Sequence, residues 1–163
     1  MTAGDRTPNT PPAGDAPGRA RRFTVIHEIR PRFRDTDAMG HINNAVYVTY
    51  IEIARQVYWE RLDHVADYRQ VPFILAHVTI DFRSEALVQE VLVIGIRCEW
   101  VGTKSFAFTY QLWEKETERL VVEANSVQVC YDYAAKKTLV MPEDLRRKVE
   151  GLEGRSLARE VKT

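Results

Sequence analysis

In the run Arg34-Asp35-Thr36-Asp37-Ala38-Met39-Gly40-His41-Ile42-Asn43-Asn44, two carboxylates, an imidazole and two carboxamides stand just ahead of a helical pattern. The segment has turn chemistry and leads into a helix start, which puts a carboxylate beside the unpaired N–H groups of a first helical turn. Those groups carry partial positive charge, so a carbonyl aimed at them has its developing oxyanion stabilised. Asp37 can then serve as base for a water or as nucleophile, with amides near Asn43 and Asn44 as the oxyanion hole: the arrangement of an acyl-transfer site. Spacing alone favours a plainer role, in which Asp35 or Asp37 closes an Asx turn or caps the helix.

Other chemistries are disfavoured by spacing. There is no Gly-x-Ser-x-Gly elbow and no Gly-x-Gly-x-x-Gly between a strand and a helix. Gly102-Thr103-Lys104-Ser105 resembles the end of a phosphate loop, but Thr103 separates Gly from Lys, and Arg97 stands where the earlier Gly belongs. The opening Asp35-Thr36-Asp37 matches a calcium loop, yet Met39 replaces a ligand and Val46 occupies the closing Glu position. Asp35, Asp37 and His41 lack an evident fourth ligand for a transition metal, so no metal is expected.

The elements that must position these residues can be read from periodicity. Tyr47, Tyr50, Ile51, Ala54, Val57, Tyr58 and Leu62 recur at three-and-four spacing and predict one helix of about 18 residues. Upstream, residues 23–33 read as a first strand, with Pro31 admissible only at an edge or bulge. Downstream the period changes to two: residues 74–82 and 92–100 alternate, and residues 106–113 and 120–133 read as two more strands joined by the charged turn Lys115-Glu116-Thr117-Glu118. Residues 142–149 form a short amphipathic helix with Pro142 at its start and acids in the first turn. The expected class is α+β, an antiparallel sheet of about five strands wrapped around one long helix.

Composition bounds the rest. At 163 residues the chain is one domain's length. Residues 1–22 hold four of the seven prolines and three of the eight glycines with no Val, Ile, Leu or aromatic, so they are expected to be a disordered tail. The domain then covers 23–141 and a helical extension 142–163. Lys plus Arg equals Asp plus Glu at 23 each, so no overall field favours nucleic acid. No apolar run reaches the length of a membrane span and no secretory leader is evident, which gives a cytoplasmic expectation. Cys98 and Cys130 are expected to be free structural thiols.

The stretch Arg34 to Tyr47, continuing through Tyr50-Ile51-Glu52-Ile53-Ala54-Arg55, resembles the signature of hotdog-fold acyl-CoA thioesterases of the 4-hydroxybenzoyl-CoA thioesterase type. The strand-loop-helix-strands order and the position of Gly102-Thr103-Lys104-Ser105 share that likeness, over residues 23–141. The resemblance implies a hotdog fold and hydrolysis of an acyl thioester carried by coenzyme A or acyl carrier protein, with no cofactor. It also implies a homodimer or homotetramer binding substrate at the subunit interface. Asp37 matches the catalytic carboxylate, Gly40 the turn residue, and the amide at or near Asn44 the donor that polarises the carbonyl, with Asn43 beside it. His41 is placed to orient Asp37 or the leaving thiol, or to pack the loop against the helix. Gly102, Thr103, Lys104 and Ser105 match a segment near the coenzyme A arm, where Lys104 can attract a phosphate. Two other readings share the fold: a non-catalytic acyl-CoA-binding module, and an enoyl-CoA hydratase-like protein, whose Asp-x-Asn-Pro-x-His pattern is absent here.

Overall fold

The computed structural model describes residues 18–63 and 72–158. The three-and-four stripe forms helix α1, Val46–Asp63, at the expected length of 18 residues. Its inward residues Tyr47, Tyr50, Ile51, Ala54 and Tyr58 are buried. They pack against an antiparallel sheet of β1 (Val25–Ile29), β2 (Phe73–Phe82), β3 (Leu92–Val101), β4 (Ser105–Glu114) and β5 (Leu120–Asp132), in spatial order β1-β3-β4-β5-β2. The inward rows of the central strands, Leu92, Ile94, Ile96 and Cys98 on β3 and Phe106, Phe108, Tyr110 and Leu112 on β4, supply most of the core beneath α1. Burying such side chains stabilises the fold by roughly 1.5–3 kcal/mol each.

Three differences from the sequence expectation have local causes. β1 stops at Ile29 rather than Phe33, because Pro31 has no N–H for a ladder and the chain turns into a 3-10 turn at Phe33–Asp35. A short strand β6, Lys137–Thr138, pairs with β5 and was too brief to leave a period. The third concerns the start of the chain. Residues 1–17 lie outside the described residues, but Gly18–Arg22 forms a 3-10 turn with Ala20 buried. Phe23 stacks on Trp113 at 6.0 Å over the outer sheet face. Gly95 lies directly beneath: a Cβ there would come within 2.4 Å of the Phe23 ring. One aromatic and one glycine thus order a segment whose composition alone gave no such sign.

The C-terminal helix α2, Glu143–Glu153, belongs to the same core through Leu145 and Val149. Pairing of β1 with β3 begins at Val25 opposite Ile96, which leaves the rest of that β3 edge without a strand neighbour among the described residues. The chain after α2 fills that place. Glu153 accepts the Cys98 amide at 2.7 Å, Arg155 donates to the Cys98 carbonyl at 2.8 Å, and the Val101 amide donates to the Leu157 carbonyl at 2.7 Å. The Glu153 carboxylate also accepts the Tyr58 hydroxyl at 2.7 Å and the Thr24 hydroxyl. Cys98 and Cys130 are free and buried, and burial pushes both thiols up, Cys130 to about 11.

At the opposite edge no strand among the described residues lies beyond β2. Leu75 and Phe82 there are 41% and 49% exposed. A ten-residue edge with apolar side chains in water is a surface that ordinarily finds a partner.

Candidate active site

Asp37 and His41 are the two ends of a three-residue hairpin loop. The Asp37 amide donates to the His41 carbonyl at 2.8 Å, and Thr36 bridges Ile42 just outside. The Gly40 amide donates to the Asp37 carbonyl at 3.1 Å, and Gly40 has φ 81. A left-handed residue at the last loop position is how such a short connection matches strand twist. Nothing lies within 4 Å of a Cβ built at Gly40, so backbone conformation, not space, selects glycine. Gly40→Val is therefore expected to cost about 1–2 kcal/mol, lowering the thermal midpoint by about 3–6 °C. Gly40→Asn should lose less, since Asn tolerates that conformation; equal losses in differential scanning calorimetry would contradict this account.

The Asp37 carboxylate has a divided environment. Oδ1 accepts the Met39 amide at 2.8 Å and the His41 amide at 3.3 Å, which closes the turn. Oδ2 accepts no hydrogen bond among the described residues. One oxygen fixes the side chain and the other is without a partner among the described residues. The His41 imidazole makes no hydrogen bond among the described residues, so His41 reaches Asp37 through its backbone, and its β-bridge to Leu87 anchors the loop.

The helix entrance follows at once. Asn43 Oδ1 accepts the Ala45 amide at 2.9 Å, the Asn43 carbonyl accepts the Val46 amide at 2.9 Å, and the Asn43 amide donates to the Asp35 carbonyl at 2.9 Å. The Asn44 amide between them has no acceptor among the described residues. The donor that the sequence singled out is thus the unengaged one.

Asp35 turns out to be the foundation of this loop. It is 4% exposed and accepts the Arg32 amide at 2.8 Å, the Arg32 guanidinium at 3.1 Å and the Tyr50 hydroxyl at 3.1 Å. Burial opposes its ionisation, but the Arg32 and Tyr50 hydrogen bonds outweigh it and hold the carboxyl below its usual range. Tyr50 ties this carboxylate to α1, so loop and helix move together. Sequence reasoning named Asp35 but not its partners; Tyr50, four residues before Ala54, reads only as one more apolar position of the stripe.

A second wall comes from residues 84–90. The Ile42 amide donates to the Ala86 carbonyl at 2.8 Å, and Arg119 fastens this stretch through Ser84 Oγ at 2.8 Å and Glu90 at 2.5 Å. Around the mouth, Phe33 and Met39 are 87% and 75% exposed, with Phe82 against Tyr47 at 5.6 Å. Burial pushes Tyr47 up to about 12, with Glu90 adding to it, so its hydroxyl stays protonated.

Asp37, Gly40, His41, Asn43 and Asn44 are therefore gathered in one place, and Gly102, Thr103, Lys104 and Ser105 are not. Those four form the β3–β4 turn, closed by the Gly102 amide donating to the Ser105 carbonyl at 2.7 Å and braced by Arg146 on the Gly102 carbonyl at 2.7 Å. The Asp37 loop lies by Leu92 and Ala86, at the other end of β3, roughly 30 Å away at about 3.3 Å per residue. Glu52 and His77 are exposed, His27 is half-buried on β1, and His64 falls outside the described residues. Among the described residues no three His, Cys, Asp or Glu side chains gather as metal ligands, and no helix is long and apolar enough to cross a membrane.

A curled antiparallel sheet around one helix, with a carboxylate turn at that helix's entrance, defines a hotdog protein. The chain belongs to the thioesterase-like superfamily, whose family model matches residues 31–149. It is 25% identical over 128 residues to the long-chain acyl-CoA thioesterase FadM of Escherichia coli K12, covering 76% of this chain and 95% of the relative. It is 28% identical over 123 residues to the acyl-CoA thioester hydrolase YbgC of Escherichia coli O6:H1, covering 72% and 89%. A Thermus thermophilus thioesterase solved with coenzyme A and zinc superposes with a TM-score of 0.75 at 28% identity, over 83% of this chain and 98% of that one.

Proposed function

We propose that this protein hydrolyses an acyl-CoA thioester to a free acid and coenzyme A, with Asp37 as base or nucleophile and the Asn44 amide as oxyanion donor. The observation that carries this is the pairing of an Asp37 carboxylate anchored by one oxygen with an unengaged amide at the start of α1. A thioester is already an activated acyl group, so a positioned water and one or two preorganised donors suffice. Asp37 Oδ2 takes a proton from water, the hydroxide adds to the carbonyl, and the oxyanion is held by the Asn44 N–H at the positive end of the helix dipole. Collapse expels the coenzyme A thiolate, which recovers the proton. The exposed apolar rim of Phe33, Met39 and Phe82 suits an acyl chain, and the names of the FadM and YbgC relatives agree with the reading. The chemistry calls for no resident metal or redox group, and the carrier is coenzyme A or acyl carrier protein.

The proposal extends to a second copy of the chain. Phe82, at one end of β2, is on the side of the Asp37 loop, while Phe73 pairs with Cys130 beside the 102–105 turn. Two β2 edges joined antiparallel about a twofold axis bring the 102–105 turn of the partner to the Asp37 end of this chain. Lys104 would then reach a coenzyme A phosphate that no single chain lets it reach.

The test is thiol release from a panel of acyl-CoAs of short, medium, long, branched and aryl types. Turnover of at least one class at kcat/KM above about 10⁴ per molar per second is expected for a true substrate. Tight binding of acyl-CoAs with no release from any would replace the hydrolase by a binding module.

A further inference from the structure

One group of buried polar side chains takes no part in the chemistry above. On the inner face of β5, Ser126 and Gln128 are both 0% exposed, in a row otherwise made of Val122, Ala124 and Cys130. Gln128 Nε2 donates to Ser126 Oγ at 2.7 Å, and Ser126 Oγ meets the Tyr110 hydroxyl of β4 at 2.7 Å. The Arg55 guanidinium of α1 lies near the same Tyr110 hydroxyl. Three atoms of this neighbourhood are buried without a hydrogen-bond partner: Arg55 Nη1, Trp59 Nε1 and Gln128 Oε1. The other orphaned atom, Gln111 Oε1, belongs to a residue on a different row of β4.

A run of contacts links the residues that carry them. Gln128 faces Phe106 across β4–β5, Phe106 meets Phe73 edge-on at 5.2 Å, and Phe73 meets Trp59 edge-on at 5.0 Å. Arg55 and Trp59 are one turn apart on α1. No carboxylate pairs with Arg55 among the described residues. Leaving buried polar atoms unmatched is costly, so a group that supplies their partners gains in binding. Two of the three orphans are N–H donors and one is on a cation. Turning the Gln128 amide over would still leave one of its ends unmatched.

Resting on the thioesterase reading, we propose that this cluster selects acyl chains bearing an oxygen acceptor at the end remote from the thioester, a carboxylate above all. The donor surplus and the unmatched guanidinium select an acceptor and favour an anion. Position sets the distance. Arg55 follows Asn44 by three helical turns and its side chain leans back toward the helix start, so the cluster sits on the order of 10–16 Å from the oxyanion donor. That separation suits a medium-length chain, not a short acid or a single aryl ring.

The test compares dodecanoyl-CoA, its ω-hydroxy form and its ω-carboxy form on the wild-type protein. The ω-carboxy substrate is expected to exceed the plain chain at least tenfold in kcat/KM, with the ω-hydroxy substrate between them. In Arg55→Leu, and separately in the smaller change Trp59→Phe, that ratio should fall by at least tenfold or invert, since each removes an unmatched donor and no longer penalises the plain chain. Should either variant unfold, the other and the wild-type ratio still decide. A wild-type protein that prefers the plain chain, or variants that slow all three substrates alike, would overturn the proposal and leave the hydrolase standing. If no thioester is cleaved, the hydrolase reading fails by itself. Calorimetric binding of free dodecanedioic acid, lost in Trp59→Phe, then upholds the site for an oxygen acceptor, and no binding removes it.

Discussion

Asp37→Asn is expected to lower kcat for thiol release by a factor of about 10² to 10⁴ while the thermal midpoint barely moves. Asn keeps an Oδ1 that can accept the Met39 and His41 amides, so the hairpin loop retains its closure. What it loses is the negative charge and basicity of the outer oxygen. This substitution separates the two roles that spacing left open, because a mere turn closer works as well with a carboxamide as with a carboxylate. Asp37→Ala would confuse them by removing both. Stopped-flow or steady-state thiol detection on the best substrate, alongside calorimetry, reads the two quantities independently. Activity in the asparagine variant within threefold of the parent would assign Asp37 to architecture and send the search for a base elsewhere.

The second large effect is on stability. Asp35→Ala is expected to cost about 2–3 kcal/mol, or roughly 5–10 °C in thermal midpoint for a chain of this size. The Arg32 side chain is 55% exposed, so its ion pair contributes little in water. The cost comes from the Tyr50 hydroxyl and the Arg32 amide, which lose their acceptor inside the loop. Because the folded-state pKa of Asp35 is depressed, its contribution is present above the ordinary carboxylate value and disappears as pH falls through the folded value. Acid denaturation followed by circular dichroism should show the parent losing part of this advantage below about pH 4, so that the gap between parent and variant narrows there. A gap between them that stays constant down to pH 2 would rule out the ionised form as the source. The same variant should lose activity beyond its loss of stability, since the Asp35 carbonyl also holds the Asn43 amide beside the Asn44 amide proposed as oxyanion donor.

The long helix, the four main strands and the Asp37 loop were legible because each imposes a short period or a turn chemistry on neighbouring residues. Helix α1 has the length its apolar stripe called for. What escaped was set by contacts distant in sequence. Nothing local announces that Phe23 will find Gly95, or that Glu153 will serve Cys98, separated by 55 residues. Within the site, Asp37, Gly40 and Asn44 could be assigned roles from one contiguous run, whereas the polar atoms of Arg55, Tyr110, Ser126 and Gln128 come from three elements. On a strand with inward Val122, Ala124 and Cys130, the pair Ser126 and Gln128 was the available sign, since polar residues on an inward row need a reason. The placement of the 102–105 turn far from Asp37 was likewise invisible to spacing, because strand length converts a few residues of sequence into a large distance.

The carboxylate of Glu153 joins Thr24, Tyr58 and Cys98, with sequence separations of 129, 95 and 55 residues. A nascent chain emerging from the ribosome can wind its central helix and pair several strands early. It cannot satisfy the amide of Cys98 or the hydroxyl of Tyr58 until residue 153 has cleared the exit tunnel. Native closure is therefore held back until residue 153 has emerged, and until then the unfinished β3 border remains open to whatever strand meets it first.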